Sequence, residues 1–151
     1  QLRPESRGSV TLNSADPFAA PAIAPNYLSV AKDRQVLLAG MRWARRIAAQ
    51  PPFAALVDYE DLPGSAAVSD TALLAFVACG ASTVHHPVGT CRMGSDANAV
   101  VDAELRVRGI EHLRVIDASV MPTITSGNTH APTVMIAERA ADLILGRRLL
   151  A

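Results

Sequence analysis

The sequence predicts a mixed α/β fold, of the α+β kind, in which an antiparallel sheet and packed helices are followed by a C-terminal strand and helix. Three observations predict it. Short segments around Val10 and Val115 have strand character, helices are predicted over 30–50 and 70–78, and an apolar helical pattern covers 133–145. The length of 151 residues suits one domain or part of a larger one.

The charge and cysteine content argue against several classes of protein. Lys plus Arg and Asp plus Glu each number 14, so the chain lacks the basic excess of a nucleic-acid-binding module. Cys79 and Cys91 are too few for a disulfide framework, which indicates reduced thiols and a cytoplasmic location. No segment approaches the roughly 20 apolar residues of a membrane span. The polar N-terminus predicts no signal peptide.

The pattern over 30–50 predicts the clearest helix. Ser29 is placed to cap it, and Asp33 lies in the first turn, where a negative charge is favourable. The pair Pro51-Pro52 ends it. Its apolar face consists of Leu37, Met41, Ala44 and Ala48.

Shorter elements surround this helix. Ser9–Leu12 alternates as a strand, and the prolines within 17–25 predict a surface loop after it. An acidic loop is predicted over 58–64. A second helix follows at Asp70–Ala78, with a Ser69 cap and a stop at Gly80.

The second half predicts two further strands and the last helix. Thr83–His86 and Leu113–Asp117 have strand patterns, and the helix over 133–145 ends at Gly146. Because ligands bind beyond the carboxyl ends of strands in open α/β sheets, Asp117 is either a ligand contact or a turn-forming residue. The last helix is apolar outside a narrow polar stripe and is expected to be buried on most of its circumference, which indicates a partner domain.

Two of the four histidines, His86 and His130, are candidate catalytic residues. They lie among Gly, Pro and Thr at element edges, where functional loops gather. An imidazole has a pKa near ~6.5, so one could remove an alcohol proton while the other holds the substrate oxygen. The alternative of two surface loop histidines stays open. His112 lies in a charged turn and is interpreted as a solvated residue.

The segment 126–133 leads His130 into the N-terminus of the last helix. Unpaired N–H groups there favour an anion, such as a phosphate or a reduced flavin, although Thr133 could instead be only a helix cap. A metal site is disfavoured, because adjacent strand residues such as His85 and His86 point to opposite faces and no HExxH motif is present. Serine hydrolysis is disfavoured because Gly-x-Ser-x-Gly is absent.

Four segments, Leu2–Gly8, His86–Gly94, Leu113–Pro122 and Ser126–Glu138, follow one another along nearly the whole chain. In this order they resemble signatures of the glucose-methanol-choline (GMC) oxidoreductase family. Each segment alone would be a weak signal, and the set of four is specific.

The resemblance implies oxidation of a small-molecule alcohol with FAD as cofactor. By resemblance, His86 is the base toward the substrate hydroxyl and His130 orients the substrate oxygen. Val84 and His85 are assigned to the substrate. The positions that match cofactor contacts are Asp117, Ala118, Ala131, Pro132 and Thr133.

The resemblance also implies a domain division. Residues 1–95 would be the substrate-binding part, and 96–151 would return to the FAD-binding domain and add a strand and a helix to it. The family's Gly-x-Gly-x-x-Gly turn for the FAD pyrophosphate is absent among the nine glycines. With a chain that starts at Gln1, we therefore expect a C-terminal fragment whose partner is the missing N-terminal FAD-binding half. The alternative is a catalytically silent remnant.

Overall fold

The computed structural model describes residues 1–147, and the chain divides into two compact units. The first comprises Gln1 and Arg3–Thr83, and the second comprises Leu2 and the residues from Val84 onward. The predicted mixed α/β class is confirmed. No helix within 1–147 has both the length and the apolar character that crossing a bilayer requires.

The first unit begins with a β-hairpin. Strand β1 (Ser9–Thr11) pairs antiparallel with β2 (Ala22–Ala24), so the first predicted strand is confirmed. The predicted loop is wrong over β2, which lies between Pro21 and Pro25. In a two-stranded ribbon both strands are edges, and a proline just outside a strand removes no ladder hydrogen bond.

Three helices complete the first unit: α1 (Ala31–Ala48), α2 (Pro51–Ala54) and α3 (Asp70–Gly80). The Ser69 hydroxyl accepts the Ala72 N–H at 3.1 Å, which confirms the predicted cap of α3. The two prolines end α1 as predicted, and they also begin α2, because the first positions of a helix have no partner for an N–H.

The details of α1 correct two predictions. Its N-cap is Val30, without a side-chain hydrogen bond, so Ser29 as the cap is wrong. The buried apolar residue is Leu38, and Ala44 of the predicted face is exposed. The predicted face is correct for three half-buried residues, Leu37, Met41 and Ala48.

Asp33 fastens the N-terminal segment to α1. Its side chain is 1% exposed and accepts the Glu5 N–H at 2.9 Å, the Ser6 N–H at 2.7 Å and the Gln1 amide at 2.5 Å. Burial acts to raise the pKa of Asp33, but the hydrogen bonds from Ser6, Glu5 and Gln1 outweigh it, so that the pKa lies well below its usual range.

The second unit ends in the longest apolar element, α4 (His130–Leu145), which Gly146 terminates in a left-handed conformation as predicted. The helix begins at His130, three residues before the predicted start, because Pro132 is tolerated in a first turn. Ile136 and Ala140 are buried. Large apolar side chains of α4 are half-exposed within the described residues, at Val134, Met135, Ile144 and Leu145, so the burial expected against a partner domain stays a prediction.

An apolar core organises the described part of the second unit. It consists of Val101, Leu105, Val120, Met121, Ile136 and Ala140, each at most 8% exposed. The predicted strand at Thr83–His86 is wrong, because His85 has a φ of 58° and cannot continue an extended chain. Leu113–Asp117 also forms no regular strand. Only Arg114 makes a bridge, with Arg106.

Candidate functional site

His86 is held by the segment that follows it. The N–H of Cys91 donates to the Ser119 carbonyl at 3.0 Å, and the N–H of Met93 donates to the Val120 carbonyl at 2.8 Å. Val88 packs against the buried core of the unit. His86 is therefore half-buried and only two residues from a fixed point on that core.

His130 is the first residue of α4, and its side chain is exposed. Thr129, just before it, is buried. Six residues later, Ile136 fixes the helix to the core on which Val88 packs. Both candidate catalytic histidines thus extend from segments that share one core, and the convergence of their imidazoles stays a prediction.

The N-terminus of α4 keeps its partial positive charge. Its N-cap is Thr129, which makes no side-chain capping bond, and no acidic residue lies in the first turn. The Thr133 hydroxyl and N–H both donate to the Thr129 carbonyl, at 2.7 and 3.0 Å, so the alternative of Thr133 as the cap is wrong. Pro132 has no N–H, which leaves His130 and Ala131 as the first-turn donors.

The remaining predicted site residues lie in the same unit. The Asp117 carboxylate accepts the Ser119 N–H at 2.7 Å and caps a short 3-10 helix, Ala118–Val120. This contact gives Asp117 the turn-forming role, and its ligand contact stays a prediction. Val84 is 76% exposed, and His85 is exposed beside it.

Sequence reasoning missed an ion pair that closes the turn after His86. Arg92 donates to both carboxylate oxygens of Asp96, at 2.8 and 2.6 Å. The hydrogen bond from Arg92 is the main cause that holds the pKa of Asp96 below its usual range. The signal was the spacing of four residues between opposite charges. Within 1–147, no group of three or more His, Cys, Asp or Glu could hold a metal ion.

A second missed feature is Arg45 in the first unit. Its guanidinium bonds to Glu60 at 2.8 Å and to the carbonyls of Ala67 and Gly64 at 2.8 and 3.1 Å, which fixes the acidic loop that the sequence predicted over 58–64. An open groove of about 710 Å³ lies beside this pair. Apolar residues line much of it, among them Met41, Ala48, Val57, Leu62 and Phe76.

Comparison with known proteins gives the same family as the motifs. A family model described as GMC oxidoreductase matches residues 4–137. An alcohol dehydrogenase [acceptor] of Pseudomonas putida is 48% identical over 144 residues, which are 95% of this chain and 26% of that protein. An oxygen-dependent choline dehydrogenase of Chromohalobacter salexigens is also 48% identical, over 99% of this chain and 27% of that protein.

A solved structure agrees. An FAD-dependent oxidoreductase from Chaetomium thermophilum superposes with a TM-score of 0.89 and 32% identity, over 97% of this chain and 26% of that one. The expectation of an FAD-dependent family of alcohol oxidoreductases is therefore confirmed. The chain spans about a quarter of the length of these relatives. A family match over most of the chain and a shared fold lead to one conclusion: the chain belongs to the GMC oxidoreductase family.

Proposed function

We propose that this chain supplies the substrate side of an FAD-dependent alcohol oxidoreductase, in which His86 removes the hydroxyl proton of a small-molecule alcohol. The observation that carries the proposal is the shared core of the second unit. Val88, two residues after His86, packs on the same buried cluster as Ile136, six residues after His130. Two imidazoles on one rigid support can act on a single oxygen atom.

The two histidines have different tasks in this reaction. His86, followed by Pro87 and half-buried, accepts the hydroxyl proton on a ring nitrogen. His130 donates a hydrogen bond to the same oxygen and keeps the alcohol oriented. FAD bound beside these residues would supply the acceptor for the hydride of the carbinol carbon. Val84 and His85, whose side chains are exposed beside His86, contact the rest of the substrate.

The residues at the start of α4 fit an electron-rich cofactor ring. The helix has no acidic residue and no side-chain cap in its first turn, so it favours negative charge on a ligand placed there. Ala131 is small enough to allow close approach. We propose that Ala131, Pro132 and Thr133 hold FAD, with Asp117 and Ala118 as further contacts.

The proposal includes a division of labour along the chain. Residues 1–95 belong to the substrate-binding part, 96–151 return to the FAD-binding domain, and the N-terminal FAD-binding half is the chain's partner. We also propose a cytoplasmic location for the protein. The support is that Cys79 and Cys91 are both free thiols.

The test is the rate at which an alcohol bleaches the flavin of the holoenzyme that contains this chain, mixed anaerobically. His86→Ala is expected to slow bleaching by about 10² to 10⁴-fold with unchanged flavin content. His130→Asn is expected to lose less rate than His130→Ala, because an amide still donates a hydrogen bond. His112→Ala is the control. Bleaching at the normal rate in His86→Ala, or none in the native protein, would reject the proposal, and the latter result would favour a catalytically silent remnant.

A further inference from the structure

His85 has a backbone conformation that side chains rarely adopt. Its φ is 58°, in the left-handed region. Residues with a Cβ disfavour this region sterically, although Asn, Asp and His enter it several-fold more often than others. Such residues cluster at functional sites, where the surrounding structure enforces them. The residue that follows His85 is the proposed base.

The backbone that follows His86 is constrained. Pro87 restricts His86 to extended conformations. Gly89 also has a positive φ, 93°, and a Cβ there would lie 3.4 Å from the Met121 carbonyl oxygen. Val88, which lies between Pro87 and Gly89, packs on the core. The chain after His86 is therefore already fixed. The left-handed φ of His85 sets the direction in which the backbone reaches His86.

We propose that His85 is a positioning residue, whose left-handed backbone sets the direction in which the His86 imidazole leaves the chain. The inference rests on the proposed role of His86 as the base. An extended residue at 85 would give the strand that the sequence pattern predicts for Thr83–His86, with successive side chains on opposite faces. The left-handed residue replaces that alternation with a turn. His85 thus acts on catalysis through its backbone, whatever its ring contributes to substrate binding.

The decisive comparison is between His85→Gly and His85→Ala. Neither variant has a ring, but glycine adopts a positive φ freely and alanine does not. In the holoenzyme, anaerobic flavin reduction at saturating alcohol gives the rate constant of the chemical step, and steady-state turnover with an electron acceptor gives kcat and KM. We expect kcat of His85→Ala to fall several-fold below that of His85→Gly, and kcat of His85→Val to fall about tenfold below it. KM is expected to change equally in the Gly and Ala variants, because both lose the ring.

The chain offers a matched control and a rescue. His112 has almost the same φ, 60°, in an exposed turn of the same unit. His112→Val and His112→Gly impose the same backbone difference and are expected to have equal kcat. Asparagine tolerates the left-handed region, as Asn26 does in this chain with a φ of 53°. His85→Asn is therefore expected to recover most of the kcat that His85→Val loses.

A second readout needs no flavin. In ¹⁵N-histidine NMR spectra of the full chain, the His86 imidazole signals are expected to move in His85→Val and to stay in place in His85→Gly and in both His112 variants. Equal kcat for the Gly, Ala and Val variants, or unmoved His86 signals in His85→Val, would overturn the inference. If His86→Ala bleaches its flavin normally, the proposed function fails instead, and the NMR comparison still decides the backbone role.

Discussion

At the residue scale, the clearest stabilising group is a buried carboxylate, Asp33. Its oxygens accept hydrogen bonds from Gln1, Glu5 and Ser6. The sequence placed Asp33 correctly in the first turn of α1, but as a partner of the helix dipole. Its donors lie 27 to 32 positions away along the chain, and no local pattern reveals them. The Ser69 cap was predictable because its partner is only three residues away.

Asp33 should make the chain sensitive to acid. Its folded-state pKa is below the ordinary value of 3.8, so its stabilisation is complete above that value and is lost as the pH falls below it toward the folded pKa. Asp33→Asn replaces an acceptor by an amide that also donates, and it is expected to cost about 2–3 kcal/mol at pH 7.

Urea unfolding at pH 7 and pH 3 measures both effects. Asp33→Asn is expected to lose much less stability between the two pH values than the native chain. Asp58→Asn, at an exposed position, is the control and is expected to behave like the native chain. An equal acid loss in Asp33→Asn would contradict the role assigned to Asp33.

At the element scale, the long helices and strand β1 were predictable, whereas β2 was not. The α3 and α4 patterns are local, because a helix bonds residues only four apart. β2 depends on partners 11 to 15 positions away along the chain, from the pair Thr11 and Ala22 to the pair Ser9 and Ala24, and its flanking prolines concealed it. The motif around His86 predicted the family, but its strand assignment failed at His85, where the backbone turns.

The hairpin should depend on one glycine. A Cβ at Gly8 would lie 2.3 Å from the Ala24 carbonyl oxygen and 2.6 Å from that of Pro25, so Gly8→Ala forces the two chains apart. Hydrogen exchange is expected to show faster exchange of hairpin amides such as Val10. Gly40→Ala is the control, and it is expected to change stability in the opposite direction. A Cβ there meets nothing within 4 Å, and the change should stabilise α1 by about 0.5–1 kcal/mol. Unchanged hairpin protection in Gly8→Ala would refute this prediction.

At the scale of the whole molecule, the sequence identified the family and both histidine segments, while the grouping of the second unit around one core came from the structure. No short motif encodes that core, because its members are spread from Val101 to Ala140. The predicted site residues from Val84 onward all fall in this unit. Their mutual distances are set by tertiary packing, which spacing along the chain does not determine.

The core should therefore couple stability to the geometry of the site. Val120 is fully buried, and Val120→Ala is expected to cost about 2–3 kcal/mol. The imidazole NMR signals of both His86 and His130 are expected to shift. Val134→Ala, at a position 46% exposed, should change stability by less than about 0.5 kcal/mol. A stable Val120→Ala chain with unmoved histidine signals would argue against a common support.

The half-exposed apolar flank of α4 has a practical consequence. Four large side chains on one helix, from Val134 to Leu145, face water at 46–59% exposure. The free energy falls when such surface is removed from water, whichever molecule covers the surface. When it is purified by itself, the chain is expected to oligomerise as its concentration rises. Sulfate should promote this self-association more than dilute buffer does.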